Sequence, residues 1–103
     1  MRRLAFLLVI ASLLAAVVAA SAFAATNVSW KIGSVKTVKI RKGGTVKWIW
    51  ADGAPHNVKG PGFASKTVAR KGTTYSHKFG KRGTFKIYCQ VHPTSMKTKV
   101  VVG

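Results

Sequence analysis

Apolar and polar positions alternate with a period of two over most of the chain beyond residue 25. Such alternation sends successive side chains to opposite faces of a pleated strand, one toward a core and one toward water. Val28 to Ile32 and Val35 to Ile40 are the first two expected strands. Thr45 to Trp50 is the third, with Val46, Trp48 and Trp50 on one face and Lys47 on the other. From Ala51 to Gly62 the chain is loop-like, and Phe63 to Val68 is expected to pair only weakly with a neighbour. Alternation returns in Thr73 to Phe79, with Tyr75, His77 and Phe79 on one side. Thr84 to Cys89 sets Phe85, Ile87 and Cys89 on one face, and Lys97 to Val102 turns Thr98, Val100 and Val102 inward. Arg41-Lys42-Gly43-Gly44 and Gly80-Lys81-Arg82-Gly83 are turns. Beyond the first 25 residues no window offers helical spacing of apolar residues. Six or seven short strands in this order predict an all-β antiparallel sandwich or small barrel.

The first segment follows a different pattern. Met1-Arg2-Arg3 precedes an apolar run from Leu4 to Ala20, and Ala22-Phe23-Ala24 supplies small residues around a cleavage position. A basic start, an apolar stretch and an A-x-A site predict a secretory signal peptide over residues 1–24, with an uncleaved membrane anchor as the alternative. The protein is then exported, to the periplasm or beyond. The single domain is residues 25–103, a size at which stability is marginal. Exported small domains often add disulfides, but the one cysteine, Cys89, cannot form an internal one. A lone thiol in an oxidising compartment is either a liability or a ligand, and a bound metal would protect it.

Charge narrows the function classes. Eighteen Lys and Arg face one acidic residue, Asp52, for a net charge of +17. Without the leader the charge is still near +15. The bases alternate with apolar residues, as in Val35-Lys36-Thr37-Val38-Lys39-Ile40, which is the pattern of solvated strand faces. The expected partners are therefore an acidic docking face on another protein or an anionic envelope surface. A specific nucleic-acid groove does not follow, because Trp48 and Trp50 share the face opposite Lys47 and offer no exposed stacking platform. With one acid there are no paired carboxylates, so an enzyme is not expected, and the domain is expected to act as a monomer.

The chemistry is concentrated near the C-terminus. Tyr88-Cys89-Gln90-Val91-His92-Pro93-Thr94-Ser95-Met96 holds a thiol, an imidazole and a thioether within eight residues. These soft and borderline donors suit copper, zinc less well, and calcium or magnesium poorly. A second histidine, His56, lies upstream in Ala54-Pro55-His56-Asn57-Val58. His77, on the Tyr75 and Phe79 face, is expected to pack at the edge of the core and not to be a ligand.

These segments, taken in order, resemble the plastocyanin-like cupredoxins, the blue copper proteins. The matching runs are Gly44-Thr45-Val46-Lys47-Trp48, Pro55-His56-Asn57-Val58, Tyr75-Ser76-His77-Lys78-Phe79, Gly83-Thr84-Phe85-Lys86-Ile87-Tyr88-Cys89, Val91-His92-Pro93 and Met96. The resemblance implies a Greek-key β-sandwich or barrel of about seven short strands. It further implies one type 1 copper ion held by His56, Cys89 and His92, with Met96 as a long axial ligand. It gives Asn57 a supporting role, its backbone amide donating to the cysteine sulfur. The implied function is one-electron transfer between Cu(I) and Cu(II), exchanged with a redox partner through His92. The same ligands would serve a protein that stores or delivers copper, and the charge alone would serve a basic binder of anionic surfaces or nucleic acid. Three features depart from the family pattern. Three residues separate His92 from Met96, with no glycine before the methionine, and the chain is short between His56 and Thr73, where a strand or a helical segment is expected to be missing.

Overall fold

Among the described residues eight strands form; the six longer ones lie where period-two patterning is strong, and they stop where turn residues intervene. The eight are β1 (Thr26–Trp30), β2 (Val35–Ile40), β3 (Thr45–Trp50), β4 (Lys59–Gly60), β5 (Phe63–Ala64), β6 (Thr74–Lys78), β7 (Gly83–Tyr88) and β8 (Lys97–Val102). The computed structural model describes residues 24–103, so the expected signal peptide lies outside the described residues except for Ala24. The fold is an all-β sandwich of two sheets, one ordered β1-β3-β6 and the other β2-β8-β7-β4-β5.

Three expectations are corrected. The first strand ends at Trp30 instead of Ile32, because Ser34 N–H donates to Lys31 C=O in a turn and Gly33 takes φ 94°, a left-handed conformation that glycine adopts without strain. Ile32 is left 52% exposed. The sheets are mixed and not antiparallel throughout, since β1 runs parallel to β3 and β2 runs parallel to β8. The turn at Gly33 carries the chain from one sheet to the other, so consecutive strands cannot pair as a hairpin. Alternation fixes which face of a strand is buried but not which strand lies beside it. The third correction concerns the stretch from Ala51 to Gly62, which is not loop throughout but holds β4. The weak pairing expected of Phe63 to Val68 is found, as β5 in a hairpin with β4 and as an isolated bridge between Val68 and His56.

The inward faces match the alternation. Val28, Trp30, Val46, Trp48 and Trp50 from one sheet meet Ile87, Val100 and Val102 from the other. Burying three indoles is favourable only if each ring N–H finds an acceptor. Trp48 Nε1 donates across the sandwich to Thr98 Oγ1 at 3.2 Å. Trp30 Nε1 donates to Asn57 C=O at 3.0 Å and Trp50 Nε1 to Val68 C=O at 2.9 Å. The last two bonds tie the long loop after β3 to the sheet at the two residues flanking His56 in space. His77 is half-buried and stacks on Phe63, ring centroids 3.7 Å apart, and burial holds its pKa below the ordinary value.

Candidate metal centre

Cys89 follows β7 directly and keeps the inward parity of Phe85 and Ile87, so its sulfur is fully buried. The loop after it is closed by its own backbone. Cys89 N–H donates to Met96 C=O at 3.1 Å, and Met96 N–H donates to His92 C=O at 3.1 Å. The same loop is braced from outside, where Gly33 N–H donates to Ser95 C=O at 2.8 Å and Lys97 N–H to Ser34 C=O at 2.9 Å. Met96 is fully buried in the same core cluster as Cys89. His92 is half-buried, between exposed Val91 and Pro93.

His56 comes from the other loop. Two backbone bonds with Val68, at 3.1 and 2.9 Å, fix its main chain, and its ring is fully buried. Asn57 joins the loops: Gln90 N–H donates to Asn57 Oδ1, and Asn57 Nδ2 donates to Gln90 Oε1, both at 2.7 Å. The resemblance gave Asn57 a role through its backbone N–H. Among the described residues its hydrogen bonds to the Cys89 loop run through the side chain.

The result is one cluster. Ligand atoms of His56, Cys89 and His92 all lie within 4.8 Å of one another. The His56 and His92 rings meet edge to face with centroids 5.2 Å apart. Cys89 Sγ is 3.8 Å from His92 Nδ1. Metal–sulfur and metal–nitrogen bonds of about 2.3 and 2.0 Å, opened to a trigonal angle, span about 3.7 Å. His56 Nδ1 is buried and has no hydrogen-bond partner among the described residues. A buried lone pair without a donor is costly unless something coordinates it. A thiol, two imidazoles and a nearby thioether, with one nitrogen left vacant, fit a soft metal ion such as copper.

Sequence patterning left Asp52 without a role at this site. Its Oδ1 lies 2.6 Å from His56 Nε2 and also accepts Ala54 N–H at 3.1 Å. The hydrogen bond to His56, opposed by burial and aided by Ala54 N–H, holds the Asp52 carboxyl below the usual carboxylate range. The signal available in sequence was an acid four residues before a candidate ligand, in a chain with no other acid.

Residues 34–103 match the model of the copper-binding proteins of the plastocyanin/azurin family. The chain belongs to this family. Its cofactor is copper. Amicyanin-alpha from Methylorubrum extorquens is 41% identical to this cupredoxin over 71 residues, which are 63% of this chain and 59% of that relative. The match therefore spans less than two thirds of the relative's length. An oxidised methionine-to-lysine variant of amicyanin superposes with a TM-score of 0.64 at 30% identity, covering 82% of this chain and 89% of that one. A Cu(I) methionine-to-alanine variant covers the same shares at 30% identity with a TM-score of 0.62.

Proposed function

We propose that this cupredoxin is an exported one-electron carrier whose copper would be held by His56 Nδ1, Cys89 Sγ and His92 Nδ1, with Met96 as a further, weaker ligand. The observation that carries the reading is the convergence of the three ligand atoms within 4.8 Å around a buried, unpartnered His56 Nδ1. Copper supplies the couple between Cu(II) and Cu(I). The residues supply a site that need not rearrange on transfer: Cys89 is locked to Met96, Met96 to His92, His56 to Val68 and Asn57 to Gln90. Thiolate and thioether favour Cu(I), while imidazoles serve both states. That amicyanin variants exist as oxidised and as Cu(I) structures supports redox cycling in a fold of this kind.

His92 is the half-exposed member of the set and the exit for the electron. Val91, 43% exposed, adjoins it as an apolar contact. The partner carries an acidic docking face. On the outer face of the larger sheet, Lys59, Tyr88 and Lys97 stand in one register row, and Lys86 lies directly opposite Lys99 in the next. A groove of about 570 Å³ with Val35, Lys86, Lys97, Lys99 and Pro93 among its lining residues runs from these cations to the ligand loop. Unneutralised positive charge beside an exit route speeds encounter with an acidic partner and weakens as salt rises. The chain acts in transfer and not as an enzyme, consistent with its single acid.

Copper-loaded protein tests the reading. Cu(II) added to purified protein should produce the intense visible band of a copper–thiolate bond, bleached by reductant and restored by oxidant over repeated cycles. Cys89→Ser should abolish the band. A band that survives Cys89→Ser removes the thiolate assignment, and a site that takes up Cu(I) but never re-oxidises makes the protein a copper store.

A further inference from the structure

Asp52 is the only acidic residue among 103, against eighteen lysines and arginines, yet among the described residues it pairs with a histidine. That histidine is the buried His56, whose opposite ring nitrogen has no partner. The carboxylate is fixed before it meets the ring. Its Oδ1 closes a turn by accepting Ala54 N–H at 3.1 Å, and Pro55 restricts the backbone leading into His56. An ionised carboxylate oxygen only accepts, so in the neutral ring Nε2 carries the proton and Nδ1 presents the lone pair.

We propose that Asp52 is a positioning residue of the copper centre: it locks His56 in the Nε2–H tautomer and, through the ring, biases the site toward Cu(II). This rests on the reading of His56 Nδ1 as a ligand. A carboxylate behind a ligating imidazole orients the ring and raises the basicity of the nitrogen facing the metal. A negative charge there also stabilises the more positive oxidation state, and does so more strongly because the ring between them is buried. A neutral acceptor in the same place would set the tautomer without the charge. The two effects can therefore be separated by substitution. Asp52→Asn keeps an oxygen for both Nε2–H and Ala54 N–H but removes the charge, whereas Asp52→Ala removes both.

The first measurement uses copper-free protein and reads the His56 tautomer by long-range proton–nitrogen NMR. Wild type and Asp52→Asn should hold Nε2–H, and Asp52→Ala should lose that preference. The second measures the reduction potential of copper-loaded protein. Asp52→Asn should shift it upward by about the equivalent of a tenfold change in the Cu(I) to Cu(II) ratio, or 59 mV for a one-electron couple. Cu(II) affinity of Asp52→Ala should fall by about 10–100-fold. A purely structural role would lower thermal stability and leave the potential of the isosteric Asn variant at the wild-type value, and that result overturns the proposal. An unchanged tautomer in Asp52→Ala overturns it as well. Failure of the copper reading is separately visible, because wild-type protein would then lack the copper–thiolate band.

Discussion

Replacing Asn57 by alanine cuts the direct side-chain link between the two ligand loops. Asn57 is only 3% exposed, and its amide makes two bonds to Gln90, both at 2.7 Å. One of them accepts the Gln90 backbone N–H, which then loses its protein acceptor. At a net value of about 1 kcal/mol per hydrogen bond, the two together contribute roughly 2 kcal/mol. For a domain of this size each kcal/mol displaces the melting temperature by roughly 4–8 °C. Copper-free Asn57→Ala protein should therefore melt roughly 8–16 °C below wild type by calorimetry or circular dichroism. Gln90→Ala makes a graded control. It loses only the bond from Asn57 Nδ2, while its own backbone N–H still reaches Asn57 Oδ1, so about half the loss is expected. Copper-free protein is the right sample, since metal binding would mask the effect by mass action. If Asn57→Ala melts within about 2 °C of wild type, or Gln90→Ala costs as much as Asn57→Ala, the bridge is not what holds the loops together.

Two further outcomes follow from the charges. Lys86 and Lys99 face each other in register on β7 and β8, where like charges repel, so Lys86→Glu should stabilise the protein by about 0.2–1 kcal/mol in denaturant titration. The same change should slow association with an acidic redox partner and flatten its salt dependence; an unaltered rate would place docking elsewhere. Burial against Phe63 holds the His77 pKa below 6.5, so the unfolded chain binds the proton more readily than the folded one. That stability is fully present above about pH 6.5 and is lost as the pH falls from there through the lower folded pKa. His77→Phe should remove this part of the pH dependence of melting, and a wild-type slope retained in the variant would assign it to another group.

The strand faces, the inward parity of Cys89 and the candidates His56, Cys89, His92 and Met96 were legible in the order of residues alone. Those depend on a local period and on side-chain chemistry, which are written one residue after another. Strand partners were not legible. The crossing at Gly33 that makes β1 and β2 parallel to β3 and β8 depends on which sheet each strand joins, and alternation is silent on that. Nor could the sequence decide what braces the site. The Val68 bridge, the indole bonds of Trp30 and Trp50, the Asn57–Gln90 clasp and the Asp52 carboxylate behind His56 are mostly contacts between residues far apart in the chain. Donor identity is a property of residues, but a vacant, buried His56 Nδ1 within 4.8 Å of its fellow ligand atoms is a property of packing, and only the tertiary structure could place it there.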